Sequence, residues 1–160
     1  MKKKVLSLLL CMTMAVGLFA ACGGNSKKEE SNKSGGDAKT ESASGKTFAL
    51  VPKSAGNPFN EKEAEGFQNA VQKLGGKAVV QYPESATADA QITVIQSLIS
   101  QKVDSICVAA NDENALAAAL QEAKDAGIKV CSVDSAVAAS SRAVHVNQAG
   151  TDEIGSALIQ

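Results

Sequence analysis

The sequence predicts an α/β fold, a doubly wound and mainly parallel sheet flanked by helices on both faces. Three observations carry this expectation. From Thr47 onward, short apolar runs alternate with amphipathic stretches of helical length, the pattern of strands joined by crossover helices. The apolar runs are near-continuous, as in strands covered on both faces. Element boundaries also carry helix punctuation, Asn57-Pro58 at a start and Gly75-Gly76 and Gly127 at two ends.

TFALVP at residues 47–52 reads as the first strand. Asn57 caps the first helix with Pro58 in its first turn, and Ala64, Phe67, Val71 and Leu74 recur at helical spacing up to Gly75-Gly76. KAVVQYP is the second strand, and Ile92, Ile95 and Ile99 mark the second helix, to about Gln101. DSICVAA is the third strand, and Leu116, Ala119, Leu120 and Ala123 mark the third helix, closed by Gly127. IKVCSVD is the fourth strand and AVHVN the fifth. Residues 135–142 are too few for a full crossover helix, so the fifth strand is expected at an edge, with its direction left open. Residues 151–160 begin another helix with Ile154, Ala157 and Leu158 on one side and no stop signal. The expected domain at residues 47–160 is therefore incomplete at its C-terminus and part of a longer protein.

Ahead of this domain the chain carries an address. Lys2, Lys3 and Lys4 precede an apolar run over residues 5–21, which is interrupted by Ser7, Thr13 and Gly17 and ends in small residues. This is the pattern of a secretory signal and is marginal for a membrane span. Leu18-Phe19-Ala20-Ala21-Cys22 resembles the lipobox of bacterial lipoproteins, with Phe19 where that family usually has Leu. The resemblance implies that residues 1–21 are removed and that Cys22 carries a diacylglyceryl group, two acyl chains sufficing for stable anchoring. Residues 22–46 are rich in Gly, Ser, Lys and Glu, with no aromatic or branched aliphatic residue. Such a segment has too little to bury and is expected to be a disordered tether, with a mean reach of about 25–30 Å.

The 160-residue chain has 16 basic and 17 acidic residues. The three lysines of the signal leave 13 basic against 17 acidic residues after removal, a net charge of −4. That balance excludes a nucleic-acid footprint. Cys107 and Cys131 each lie inside an apolar run. Two buried free thiols are expected, with a disulfide the alternative open to an exported protein. Neither a metal nor a cofactor is expected: the sequence shows no cluster of His, Cys and carboxylate suited to a metal, and there is no nucleophile elbow or phosphate loop.

In an open parallel sheet, ligands bind beyond the carboxyl ends of the strands. Those ends carry Lys53, Asn57 and Phe59, then Asn111 and Asp112, then Asp134 and Ser135, then Asn147 and Gln148. Carboxylate, amide and ammonium groups suit the hydroxyls of a neutral polyol, and an aromatic ring suits the C–H face of a sugar. Asn57 also reads as a helix cap, Asp112 and Asn111 as caps in preference to ligands, and Lys53 as either solvated or ligating. Asp134 has no adjacent helix to cap and is the foremost ligand candidate. Asn147 and Gln148 read as the start of a helix or a hinge, and His145, the sole histidine, as structural.

VPKSAGNPFNEKEAEGF, SICVAANDENAL, GIKVCSVDS and VHVNQAGTDEIG resemble the first lobe of type I periplasmic sugar-binding proteins of bacterial ABC importers, in the ribose, rhamnose and autoinducer-2 branch. The resemblance implies two such lobes with ligand trapped between them, and a ligand set here of Lys53, Asn57, Phe59, Asp112 and Asp134. Asn60 stands where ribose-type members have a second aromatic, and Ser135 where an arginine often follows the aspartate; both tilt toward the rhamnose or autoinducer-2 side. The implied partners are a monosaccharide or sugar-like ligand and the ABC permease and ATPase subunits. The protein is expected to be a monomer and not an enzyme, held to the outer face of the cytoplasmic membrane through its lipid anchor. A sensor role and an exported α/β enzyme are the alternatives.

Overall fold

The computed structural model describes residues 43–159; the expected signal, Cys22 and the tether up to residue 42 lie outside them. Five strands and four helices follow in the order β1 (Thr47–Val51), α1 (Pro58–Lys73), β2 (Lys77–Val80), α2 (Ala88–Ser100), β3 (Ser105–Val108), α3 (Ala117–Asp125), β4 (Lys129–Val133), β5 (Val144–Val146) and α4 (Thr151–Leu158). The strands form one sheet of order β2-β1-β3-β4-β5, and every pairing is parallel. The expected α/β class is the observed one. β5 is an edge strand as expected, and its open direction resolves as parallel to β4. A single 3-10 turn at Ala139–Ser141 takes the place of a crossover helix before it.

Strand side chains alternate between two covered faces. Ala49, Val51, Ile106, Val108 and Val130 pack with Ile95 and Leu98 of α2 and Leu120 of α3 in the larger core. Leu50 and Cys107 face the other way, where Ala64 and Phe67 of α1 cover them together with Cys131 and Val133. The two cysteines are directly opposite one another on β3 and β4 and both are free thiols. The hydrogen bond from Cys107 to Cys131 and its burial push the Cys107 thiol up, and acceptance of that bond holds Cys131 down.

Helix ends follow local chemistry. Asn57 Oδ1 accepts the Phe59 N–H at 2.9 Å, and Pro58 opens α1. Thr87 caps α2 by accepting from the Ala90 N–H. Gly127 closes α3 with φ +83°, which costs glycine little. After α2 the same wrapped ending, Lys102 N–H to Ile99 O and Val103 N–H to Leu98 O, is made by Lys102 at φ +56°. The buried stripe of α2 also differs from the expected isoleucine stripe: Gln91, Ile95 and Leu98 are fully buried, while Ile92 and Ile99 pack at its margin. The helices lie antiparallel to the strands, so loops after the strands gather at one end of the lobe, and helix C-termini gather with the strand starts at the other.

Candidate functional site

The carboxyl ends of β1, β3 and β4 are tied together before any ligand is considered. The Gln91 amide, fully buried, donates to Pro52 O at 3.2 Å and Ala109 O at 2.8 Å and accepts from the Asn111 N–H at 2.9 Å. Asn111 Nδ2 in turn donates to Lys53 O at 3.0 Å, and the Ala110 N–H donates to Ser135 O at 3.1 Å. Asn60, 3 % exposed, spans the β1–α1 loop by donating to Ser54 O and Oγ. A buried polar network with its partners satisfied fixes loop geometry more firmly than apolar contact would.

On this frame sits Asp134. It has φ +56°, a conformation uncommon outside glycine and one that asparagine and aspartate tolerate best. Strained backbone at a strand end is retained where surrounding contacts hold it. Here Lys53 Nζ lies 3.0 Å from Oδ2, Gln148 Nε2 donates to Oδ1 at 2.8 Å and Ser135 Oγ donates to Oδ2 at 3.2 Å. Partial burial acts to raise the Asp134 carboxyl, but these three donors and the Lys53 charge outweigh it, and the group lies below the ordinary aspartate value. Asp134 is therefore a carboxylate aimed from the end of β4 with charge-assisted bonds already in place.

Two adjoining hollows open at this end of the sheet, and Asp134 lines one of them. One, of about 340 Å³, is lined by Lys53, Asn57, Phe59, Asn111 and Asp134. The other, of about 400 Å³, is lined by Lys53, Asn111, Asp112 and Ser135. The Phe59 ring is 50 % exposed at the rim, an unfavourable position for an aromatic with nothing to cover. The structure thus brings Lys53, Asn57, Phe59 and Asp134 to one hollow and places Asp112 at the neighbouring one. Asp112 Oδ1 accepts from the Asn114 and Ala115 N–H groups at 2.9 and 2.8 Å, which holds its carboxyl below the usual value and occupies that oxygen as a turn cap. Asn57 is likewise engaged as the α1 cap. His145 Nδ1 lies 2.9 Å from Ser132 Oγ inside the sheet, as a structural histidine would.

Two contributors take roles that the sequence reading does not give them. Gln148 precedes α4 by sequence yet holds Asp134. Glu63, on the inward side of α1, has both carboxylate oxygens buried without a hydrogen-bond partner. Burial first, and the Asp134 charge second, raise its pKa, with Lys53 opposing in part. The residue lies one helical turn beyond Asn60, a signal present in the period but masked by its charge.

The model of the periplasmic binding protein domain family matches residues 48–160. A solute-binding protein of an ABC transporter from Clostridium phytofermentas, solved with bound L-rhamnose, is 56 % identical at TM-score 0.71, over 73 % of this chain and 36 % of that one. LsrB from Clostridium saccharobutylicum, solved in complex with AI-2, is 33 % identical at TM-score 0.68, over 71 % of this chain and 35 % of that one. A sugar ABC transporter protein from Actinomyces odontolyticus is 30 % identical at TM-score 0.70, over 73 % of this chain and 38 % of that one. The chain therefore spans between 35 % and 38 % of the length of these three relatives.

Proposed function

The chain belongs to the periplasmic binding protein domain family, and on that premise we propose that it is the first lobe of a sugar-binding lipoprotein that captures its ligand outside the cell membrane and delivers it to an ABC permease. The observation that carries this reading is Asp134: a carboxylate in strained backbone, preset by Lys53 and Gln148, facing a hollow with one exposed aromatic ring. The chemistry supported is capture, by ammonium, amide, hydroxyl and carboxylate groups that match ligand hydroxyls.

Within this reading Asp134 accepts from ligand hydroxyls, Lys53 donates to a ligand oxygen while neutralising Asp134, and Phe59 covers the apolar face of the ring. Asn57 contributes its free amide nitrogen, and Asp112 its second oxygen from the adjoining hollow. The relative at 56 % identity was solved with L-rhamnose and the one at 33 % with AI-2, which favours a deoxyhexose of the rhamnose class as ligand. A second lobe, as the greater length of those relatives suggests, supplies the remaining contacts. Cys22 is the acylation site and the stretch from residue 23 to residue 42 the tether, the lobe beginning at Ala43, which is buried and bonded to Leu74 O. The sensing role differs only in the partner that meets the loaded protein.

Calorimetric titration of the two-lobed protein with L-rhamnose, ribose and AI-2 tests the reading. Binding of one of them with a 1:1 stoichiometry is expected. Absence of binding to all three, from a folded protein, would remove the sugar-capture reading.

A further inference from the structure

The end of the lobe opposite the hollow has the reverse electrostatic character. Strand starts and helix C-termini meet there, and they bring Lys46, Lys73, Lys77, Lys102, Lys124 and Lys129 to one edge, all of them exposed. The acids at this edge are Asp104, Glu122 and Asp125, and the Asp104 carboxylate is taken up by the Thr47 N–H at 2.7 Å. Neither ion pair among the described residues involves any of these lysines. The loops at the hollow end instead carry Glu84, Asp112, Glu113 and Asp134 against Lys53. A chain with a slight net negative charge is thus divided into an acidic end and a basic one.

Helix macrodipoles account for Lys73 and Lys124, which lie in the last turns of α1 and α3. They do not account for Lys46, Lys77 and Lys129, which stand at strand starts. Lys77 N–H donates to Lys46 O at 2.9 Å, so the starts of β1 and β2 bring both residues to this one edge. Lys46, Lys102 and Lys129 also surround an open groove of about 610 Å³ whose other walls include Phe48, Ile99, Val103, Ile128 and Asp104, the one acid against these three lysines. Three ammonium groups around an apolar floor fit phosphate headgroups with the first part of their chains. The segment preceding the lobe joins at this same edge: the Ala43 N–H bonds to Leu74 O.

We propose that this basic edge docks on the anionic phospholipid surface of the membrane, with the Lys46–Lys102–Lys129 groove seating phosphate headgroups. The lobe then rests on the bilayer by the edge its tether leaves from, and the ligand hollow faces outward, open to solute. Each basic residue near an anionic surface contributes modestly on its own, so the several lysines act together and the contact is reversible and weakened by salt. Departure of the edge from the headgroups frees the lobe to turn its hollow toward a permease. The proposal rests on the exported, Cys22-anchored reading, but the contact itself needs no acyl group.

The test uses the chain from residue 22 onward with Cys22→Ala, which lacks both the apolar signal run and the anchor. It is sedimented with vesicles of phosphatidylcholine alone and of phosphatidylcholine with phosphatidylglycerol, at low and high salt. Binding only to the mixed vesicles at low salt is expected. The variant Lys46→Gln/Lys102→Gln/Lys129→Gln should partition roughly a hundredfold less, and Lys46→Arg/Lys102→Arg/Lys129→Arg should bind as well as the parent, with circular dichroism matching in all three. Equal binding to neutral vesicles, or unchanged binding by the glutamine variant, would overturn the proposal. So would retention by soluble polyphosphate without retention by vesicles, which would point to a phosphate polymer. Acylation of Cys22 is read separately, from the mass of the membrane-extracted wild type, so failure of the anchor and failure of the docking edge are distinguishable.

Discussion

Lys53 Nζ and Asp134 Oδ2 meet at 3.0 Å although their strands, β1 and β4, are separated in the sheet by β3. The pair bridges the carboxyl ends over the top of β3, at the place where open parallel sheets receive ligands. It is partly open to water, with side-chain exposures of 33 % and 18 %, so it contributes little to stability and much to the charge of the hollow.

Replacement of Lys53 by Met should therefore leave the melting temperature nearly unchanged, a loss below about 1 kcal/mol. Its effect appears in pH dependence. Asp134 is held below its ordinary value, so its stabilising contribution is present above the unfolded value and is lost as pH falls through the folded one. Without Lys53 the folded value rises, and loss of ligand affinity on acidification should begin at higher pH. Titrations of ligand binding against pH for both proteins would show the displacement; superimposed curves would deny the coupling.

Glu63 has the opposite sign. Its pKa is raised, so its contribution is full below the unfolded glutamate value and is lost as pH rises through the folded one. Glu63→Gln removes this penalty. The variant should be more stable at neutral pH by about 0.5 kcal/mol, after allowance for solvent screening, and the gain should vanish in acid. Chemical denaturation at several pH values would show it, and a pH-independent difference would contradict it.

Gln91 ties Pro52, Ala109 and Asn111 from a fully buried position. Gln91→Ala leaves three backbone groups unpaired and a cavity above β3. The expected loss is about 3 kcal/mol, together with weaker ligand binding as Lys53 and Asn111 lose their fixed spacing. Thermal unfolding with the titration of the same sample separates the two effects. Unaltered stability would show that the amide is not what joins the strand ends.

Cys107 and Cys131 face each other in register as free thiols. Under native conditions Cys131, the less buried of the two, should react first with a thiol reagent, and both should react after denaturation. Labelling followed by peptide mass measurement reads the order. A single labelled cysteine or none after denaturation without reductant would indicate a disulfide or another modification.

Most of the lobe was legible because its signals are local. The Asn57-Pro58 start, the Gly127 stop and the apolar strand cores each act within a few residues, and each appears where expected. Lys102 escaped because a wrapped helix ending is sought at glycine, and lysine made it under the pull of the Val103 side chain into the core. Gln91 escaped because an amide on a helix reads as solvated until two strand ends present carbonyls to it. The direction of β5 depended on pairing with β4, which no spacing encodes. At the site, Lys53 and Asp134 were found by strand-end position alone, whereas the roles of Gln148 and Glu63 arise from contacts 14 residues apart in one case and from burial beneath α1 in the other.

The most direct measurement is calorimetric titration of the two-lobed protein with L-rhamnose, comparing wild type with Asp134→Asn. Asparagine tolerates the left-handed backbone and keeps the shape, so the variant removes only the charged acceptor. Micromolar or tighter binding is not required; what is predicted is measurable 1:1 binding by wild type and a loss of about 2 kcal/mol in the variant, roughly a thirtyfold weakening. Equal affinities in two equally folded proteins would contradict the assignment of Asp134 as the carboxylate that holds the ligand.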